Sequence, residues 1–349
     1  GDDTLRIVWD RAHAKGMGFY PTLLLQTQRG DRATDLRCSE FRFANSHLEI
    51  GAGDSLPPDH PGATCLDFAN AEVRDERFSL IEETLNRYPV DGFELQLGYR
   101  TWYFHPDAID EGRQIMTQWI ERVHKAVKAG SRDRELVVRV PASLEGCRAF
   151  GLDIEEWLNL DLIDVVVAET YGEPETLDST ADLRPLVAAA SGSRGRVHAC
   201  LLRHRLAEGP IEMLRAAANN YWEQGIDGLY LAYWHADWPH GADFYEILRE
   251  LPHPDVMATK NKVYFVPTAN GRFPEPEAGP GVFRQLPAPL TVGESVSVMF
   301  EVSDDLPAQD AAGRLEKVLL RVRVKAVSYT HLRAHETDSY LVCRLLLEK

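Results

Sequence analysis

The chain has 349 residues, 44% of them hydrophobic and 26% charged, which is enough to bury one large domain or a barrel with a small companion. The formal net charge is −16, and no cluster of lysine and arginine is interleaved with aromatic residues, so we expect no nucleic-acid partner. No apolar run approaches the roughly 18 residues of a membrane-spanning helix. The five cysteines form no CxxC pair, which argues against a zinc knuckle or a disulfide framework. We therefore predict no membrane association, no metal and no cofactor.

Helices and strands alternate over the first 252 residues. Apolar residues at helical spacing predict helices over 4–15, 71–87, 110–129, 152–160, 180–190, 210–224 and 243–251. Alternating or continuous apolar runs predict strands over 17–26, 93–97, 135–140, 162–169, 196–202 and 226–234. Between them, residues 27–67 are rich in Gly, Pro, Asp and Ser and show little periodicity.

This alternation predicts an α/β fold with a parallel sheet covered by helices. The sequence Val90-Asp-Gly-Phe93 is repeated in pattern by Ile226-Asp-Gly-Leu229, as expected where one helix-to-strand unit recurs. No Gly-rich phosphate loop follows any strand, so a (β/α)8 TIM-type barrel is favoured over a doubly wound sheet. Only about six strands are present, and Gly1 lies at the start of a predicted helix. We therefore expect an N-terminally truncated barrel over residues 1–252.

The pattern changes after residue 252. Alternating strands are predicted over 262–267, 295–303 and 315–325, with Pro/Gly-rich turns between them and a short helix near Ala308. We interpret residues 253–326 as a small all-β domain, an incomplete β-sandwich. Residues 327–349 resemble a translated sequencing-library adapter, so we predict that this tail is an artefact and that the natural sequence is cut at both ends.

Two glutamates lie on different strands of the predicted barrel and point toward one mouth. Glu94 and Glu169 lie toward the carboxyl ends of their strands, where barrel proteins place their chemistry. A pair of carboxylates can act as acid and as base or nucleophile in glycoside hydrolysis. The alternative is that either glutamate forms a structural ion pair with an arginine such as Arg139 or Arg100.

Aromatic and polar residues surround the same predicted barrel mouth. Several aromatic faces beside carboxylates favour a carbohydrate site, because such faces stack on sugar rings. The candidates for stacking are Trp102, Tyr103, Tyr171, Tyr233, Trp234 and Trp238. The candidates for polar contacts with a substrate are Gln96, Arg100, Tyr171 and His235.

Several segments resemble the family-10-like glycosyl hydrolases, a group of bacterial barrel proteins. The resemblance spans roughly residues 1–265 and is most specific in the run from Glu72-Val-Arg-Asp75 to Asp91-Gly-Phe-Glu-Leu95. Further similar segments are Asn45–Gly51, Gly151–Trp157 and Gly225–Leu231. Members of this group commonly carry an aspartate two residues after the position of Glu94, and here that position is Gln96. An amide cannot donate a proton as an acid does, so this departure puts catalysis in doubt.

Three functions follow as hypotheses. The first is a glycoside hydrolase acting on a poly- or oligosaccharide through Glu94 as acid/base and Glu169 as the second carboxylate. The second is a carbohydrate-binding barrel without catalysis, and the third is an assembly protein whose β domain is the working part. The resemblance slightly favours an extracytoplasmic location, whereas the glycan, the stereochemistry and the oligomeric state stay open.

Overall fold

The computed structural model of the chain describes residues 3–26, 40–99, 101–170, 177–202, 211–232, 240–266, 285–286, 288–289, 295–322 and 344–348. The chain divides into two compact units. Unit 1 comprises Gly1–Glu169 and Pro185–Val197, and unit 2 comprises Thr170–Arg184 and His198–Lys349.

Helices and strands alternate along most of the described chain. The helices are α1 (Thr4–His13), α2 (Glu40–Ala44), α3 (Ala71–Arg87), α4 (Ile109–Gly130), α5 (Leu144–Ala149), α6 (Ile154–Asn159), α7 (Arg184–Ala190), α8 (Ile211–Glu223), α9 (Ala242–Glu250), α10 (Pro254–Met257) and α11 (Leu306–Ala311). The strands are β1 (Thr22–Leu24), β2 (Gly92–Gln96), β3 (Glu135–Pro141), β4 (Val165–Glu169), β5 (Arg196–Leu202), β6 (Gly228–Ala232), β7 (Lys262–Phe265), β8 (Lys317–Arg321) and β9 (Arg344–Glu348).

The first six strands are parallel and follow one another in the order β1-β2-β3-β4-β5-β6. The prediction of an α/β fold with a parallel sheet is therefore confirmed. In unit 1 the register pairs Gln96 of β2 with Arg139 of β3, and Arg139 in turn with Val167 of β4. Because side chains alternate along a strand, Glu94 shares a face of the sheet with Gln96 and Arg139, and Glu169 shares it with Val167. This register brings four polar side chains to one face near the carboxyl ends of three strands.

The helices of unit 1 bury the apolar stripes that the sequence predicts. In α3, Val73, Phe78, Ile81 and Leu85 are all buried. Helix α4 buries its own stripe, and the Trp119 ring packs edge-on against Phe68 with centroids 5.6 Å apart. Burial of these stripes holds the helices on the sheet and stabilises the strand ends.

The turn into β2 is built around Asp91 and Gly92. The Asp91 carboxylate accepts hydrogen bonds from the Phe19 N–H (2.7 Å) and contacts His13 Nε2 (2.7 Å). Burial raises the pKa of Asp91, but the hydrogen bonds from His13 and Phe19 outweigh it and hold this pKa below its ordinary value. A Cβ at Gly92 would lie 2.4 Å from both the Glu135 carbonyl oxygen and the Tyr20 ring, so only glycine fits. Asp91 therefore has a structural role at the amino end of the strand.

Unit 2 contains β5 from His198 onward paired with β6, helix α8 and a three-stranded antiparallel sheet in the order β7-β9-β8. Lys262 of β7 is fully buried, and its ammonium group donates to the Met257 carbonyl (2.7 Å) and to Asp304 (3.0 Å). Tyr264 packs in a cluster with Ala216 of α8 and with Phe300, Val302 and Leu306.

The predicted separate β-sandwich is not confirmed. Residues 295–303 form no strand, and β9 comes from the adapter-like tail, where residues 344–348 pair with both β7 and β8. Residues 253–326 also belong to the same compact unit as β6 and α8. The part of the chain that the structure describes contains no helix long and apolar enough to cross a membrane.

Candidate functional site

The candidate site lies in unit 1, on one face of β1 to β4, and extends from the middle of β2 to the carboxyl end of β4. Glu94 is the third residue of β2 and is 4% exposed, and Glu169 is the last residue of β4 and is 1% exposed. Both side chains are removed from water, and each of the two strands is buried along its whole length. A carboxylate in such a place requires hydrogen-bonding or charged partners.

Arg139 of β3 contacts both carboxylates. Its Nε donates to Glu94 Oε1 at 2.9 Å, and its Nη1 lies 3.5 Å from Glu169 Oε1. The two carboxyl groups therefore approach the same guanidinium from the strands on either side of β3, which are β2 and β4. The predicted alternative of an ion pair with Arg139 is what the structure contains, and it involves both glutamates at once.

Glu94 has a second contact, with Thr22 of β1. The Thr22 hydroxyl donates to Glu94 Oε2 at 3.1 Å. A hydroxyl can rotate, so it can equally accept a hydrogen bond when the carboxyl is protonated. Thr22 was not predicted as a site residue, since a threonine early in a short apolar strand carries no distinctive signal.

Glu169 has a different second contact. Gln96 Nε2 donates to Glu169 Oε2 at 2.8 Å, while Gln96 Oε1 accepts a hydrogen bond from the Gly98 N–H at 2.8 Å. Gln96 is 2% exposed, so its amide lies inside the site and not on a surface that a ligand could reach freely. A Cβ at Gly98 would lie 2.9 Å from Glu169 Oε2, which explains the need for glycine at this position.

Gln26, two residues after the end of β1, connects two loops of unit 1. Its amide donates to the Leu66 carbonyl (2.7 Å) and the Trp102 carbonyl (2.9 Å), and its oxygen accepts from the Leu66 N–H (3.2 Å). The amide thereby fixes the backbone on which Trp102 is carried.

The two predicted aromatic residues that follow β2 differ in position. Trp102 is partly exposed, and its ring packs edge-on against His60 (centroids 4.6 Å apart) and Phe150 (5.1 Å). Burial, with the nearby His105, lowers the pKa of His60, which favours the neutral ring beside Trp102. Trp102 thus keeps part of its surface available for a ligand.

Tyr103 does not keep such a surface. Its side chain is 0% exposed, and its hydroxyl donates to the Leu97 carbonyl at 3.0 Å. Burial raises the pKa of this phenol well above its ordinary value. The prediction that Tyr103 stacks on a substrate is therefore wrong, because the loop after β2 folds back and places the ring in the core.

Six of the predicted site residues lie outside the described residues. They are Arg100, Tyr171, Tyr233, Trp234, His235 and Trp238. Their roles stay predictions. Within the described ranges, no group of three His, Cys, Asp or Glu side chains is arranged to hold a metal ion.

Comparisons with known proteins find likeness in structure and not in sequence. No family model matches the chain, and no curated protein matches it in sequence. The resemblance to the family-10-like group therefore stays a prediction.

Similar solved structures include three sugar-cleaving enzymes. The PgaB (BpsB) glycoside hydrolase domain from Bordetella bronchiseptica has 14% identity and a TM-score of 0.48, and the match covers 71% of this chain and 78% of that one. A beta-galactosidase from the psychrophilic Marinomonas ef1 has 12% identity and a TM-score of 0.43, over 66% and 46% of the two chains. An endo-1,4-beta-mannanase from Rhizomucor miehei has 17% identity and a TM-score of 0.40, over 55% and 64%.

Proposed function

We propose that the chain is a glycoside hydrolase-like protein acting on a poly- or oligosaccharide, with Glu94 as acid/base and Glu169 as the second carboxylate. The observation that carries the proposal is the approach of these two carboxylates to one guanidinium, that of Arg139. Hydrolysis of a glycosidic bond uses a pair of carboxyl groups on opposite sides of the scissile bond. The sequence predicts that Arg100, Tyr171 and His235 hold the sugar, and Trp102 supplies a partly exposed ring to stack on it, whereas the buried Gln96, also predicted to contact the sugar, binds Glu169 instead.

The charge of the cluster suits this reaction. With the proton on Glu94, the cluster of Glu94, Glu169 and Arg139 is neutral, and it gains one net negative charge as Glu94 gives that proton to the leaving oxygen. The transition state of glycoside hydrolysis resembles an oxocarbenium ion and develops positive charge on the sugar ring. A negative charge on the protein, in a buried and weakly screened place, stabilises the positive charge of the sugar ring as that charge forms.

The partners of the two carboxyl groups support different roles for them. Glu94 Oε2 faces the Thr22 hydroxyl. This hydroxyl can donate a hydrogen bond to the ionised carboxylate, and it can accept one from the protonated carboxyl. Glu169 Oε2 faces an amide NH2, which can only donate. We therefore assign the acid to Glu94, whose hydroxyl partner suits either form of the carboxyl, and the base or nucleophile to Glu169, whose amide partner donates most strongly to an ionised oxygen.

The reaction then follows with these roles. Glu94 gives its proton to the glycosidic oxygen while the bond between that oxygen and the anomeric carbon breaks. Glu169 either bonds to the anomeric carbon or takes a proton from a water that attacks it, and water supplies the new hydroxyl in both cases. A separation of the two carboxyl groups of about 5 Å would indicate retention, and roughly 6.5 to 9.5 Å would indicate inversion of configuration.

A second candidate is a carbohydrate-binding barrel without catalysis. It is favoured by the near-complete burial of Glu94 and Glu169 and by their shared ion pair, since such a cluster can also serve structure alone. Under this alternative Trp102 would bind sugar while the carboxylates would only support the fold.

Release of reducing sugar from a panel of polysaccharides separates the two candidates. Turnover by the wild-type protein, lost in both Glu94→Gln and Glu169→Gln, supports hydrolysis. A matched control is Glu250→Gln, because Glu250 is also a buried glutamate held by an arginine, Arg215 (2.7 Å), but lies in unit 2. Unchanged turnover in the two site variants would refute the assignment, and binding of a glycan without turnover would favour the second candidate.

A further inference from the structure

Gln96 occupies the position at which an acid was expected, and its contacts give it a different task. Both ends of its amide are engaged, with Glu169 Oε2 at one end and the Gly98 N–H at the other. The side chain is 2% exposed, so water does not compete strongly for either contact. A glutamine held in this way acts on its neighbour and not directly on a substrate.

The orientation of the amide is determined by Gly98. A backbone N–H is only a donor, so the Gln96 oxygen must face it and the Gln96 NH2 group must face Glu169. The reversed amide would place two donors against each other at Gly98. It would also place the amide oxygen against a carboxylate oxygen at Glu169. Both contacts would be repulsive, so the structure admits one orientation.

This orientation has a consequence for the proton on Glu169. An NH2 group donates a stronger hydrogen bond to an ionised carboxylate oxygen than to the carbonyl oxygen of a protonated carboxyl, so it favours the ionised form. Among the residues that the structure describes, Arg139 on β3 is a charged group that faces Glu169, and Glu94 on β2 contacts the same guanidinium. The charge of Arg139 favours the ionised form of Glu169, and a charge on Glu94 opposes it. The hydrogen bond from the Gln96 amide therefore favours the same form as Arg139 does.

We infer that Gln96 is a positioning residue, oriented by Gly98, that keeps Glu169 deprotonated and fixed as the base or nucleophile of the reaction. The inference rests on the proposed hydrolase function for its catalytic meaning, whereas the effect on the Glu169 proton does not depend on it. With glutamine in place of the expected acid, Glu94 is the acid of the proposed reaction and Gln96 positions Glu169.

The test compares Gln96→Met with the wild-type protein. Methionine has nearly the same length and is apolar, so it removes the donor to Glu169 and leaves the charge of the site unchanged. Easier protonation of Glu169 moves the acidic limb of the pH profile of kcat/KM to higher pH by about one unit, which corresponds to the loss of one hydrogen bond to a charged group. The matched control is Gln224→Met in unit 2, another buried glutamine that bonds only backbone groups, the Leu183 N–H (2.6 Å) and the Ala181 carbonyl (3.1 Å). Its profile should not move.

A second readout does not require activity. The side-chain carboxyl carbon of Glu169, labelled with ¹³C and assigned by its loss in Glu169→Gln, is titrated by NMR. The midpoint should be about one pH unit higher in Gln96→Met than in the wild type. If the wild type hydrolyses no glycan but this midpoint rises, the proposed function fails and the effect of Gln96 on Glu169 stands. An unchanged midpoint overturns the inference, whether or not the protein is an enzyme.

Gln96→Glu covers the case in which the methionine variant does not fold. Glutamate has the same shape and keeps an oxygen for the Gly98 N–H, but it replaces the donor to Glu169 by a second carboxylate oxygen. The Glu169 midpoint and the acidic limb should then rise at least as far as in Gln96→Met. A kcat above that of the wild type in Gln96→Glu would overturn the inference, because position 96 would then be the place of an acid.

Discussion

Replacement of Arg139 by methionine tests whether the two carboxylates depend on one cation. The side chain of Arg139 is 11% exposed, and those of its partners Glu94 and Glu169 are 5% and 0% exposed. Arg139→Met removes the positive charge and leaves two buried carboxylates without it. Loss of one partner from a buried ion pair costs about 3–5 kcal/mol, and here two carboxylates lose the same partner, so we expect a value near the upper end at pH 7.

The cost should depend on pH in a defined direction. Without the guanidinium, the ionised carboxylates of the folded variant lose a favourable charge contact, whereas the unfolded chain is unaffected. Folding of the variant therefore becomes relatively more favourable as the pH falls, and the difference from wild type should shrink between pH 7 and about pH 4.5.

Urea unfolding followed by circular dichroism measures this difference from the shift in midpoint at constant m. Arg113→Met is the matched control, since Arg113 pairs with a highly exposed partner, Asp110 (2.8 Å), and its removal should cost at most about 1 kcal/mol. The double variant Arg139→Met/Glu94→Gln should lose less free energy of unfolding than the two single variants lose in sum, by roughly 1–3 kcal/mol. A cost for Arg139→Met below about 1 kcal/mol at pH 7, or one that is equal at both pH values, would refute the account of the ion pair.

Three further predictions concern neighbouring positions. Gly98→Ala should leave the fold intact but lower turnover about 10-fold or more. The added Cβ would lie 2.9 Å from Glu169 Oε2 and would displace the carboxylate, and wild-type turnover in this variant would contradict that account. Asp91→Asn should cost less than about 1 kcal/mol at pH 7, since the pair with His13 is partly exposed. Because the folded-state pKa of Asp91 is lowered, its contribution is present above the unfolded-state pKa and is lost as the pH falls through the folded-state pKa, so the difference in urea unfolding should be smaller at pH 3 than at pH 7. Tyr103→Phe should cost about 1 kcal/mol of stability and leave glycan affinity unchanged, and weaker binding by calorimetry would restore Tyr103 to the binding surface.

Where the pattern of apolar residues is local, the sequence predicted the structure closely. The predicted helix over residues 71–87 has the observed bounds, and the predicted strand over residues 196–202 does too. In the helix, four residues at helical spacing are all buried, so a local pattern and the tertiary structure agree. The parallel arrangement also followed from local signals, because continuous apolar strands between helices require cover on both faces.

Where strand formation depends on a pairing partner that is distant in the chain, the sequence did not predict the structure. Residues 295–303 alternate like a strand but pair with none, whereas residues 344–348 pair with two strands. Strand formation needs a partner with free backbone groups, and an alternating pattern does not reveal one.

The same limit applies to the candidate site. That Glu94 and Glu169 follow different strands toward one end of a sheet could be read from the sequence. Their common contact with Arg139 depends on the register of three strands, which no single segment encodes. The burial of Tyr103 depends on a hydrogen bond that folds its loop back onto Leu97. An aromatic residue after a strand has the same sequence signal whether it faces solvent or the core.

The most direct test of the central claim compares two substrates that differ in their leaving group. One is the natural glycan found with the panel, and the other is a nitrophenyl glycoside of the same sugar, whose leaving group departs without a proton. With the glycan, both Glu94→Gln and Glu169→Gln should lower the rate of the first turnover by about 10²–10⁴-fold. With the nitrophenyl glycoside, Glu94→Gln should lose less than about 10-fold, whereas Glu169→Gln should lose as much as before. Equal losses in the two variants on both substrates would contradict the assignment of Glu94 as the acid, and no loss in either would contradict the site itself.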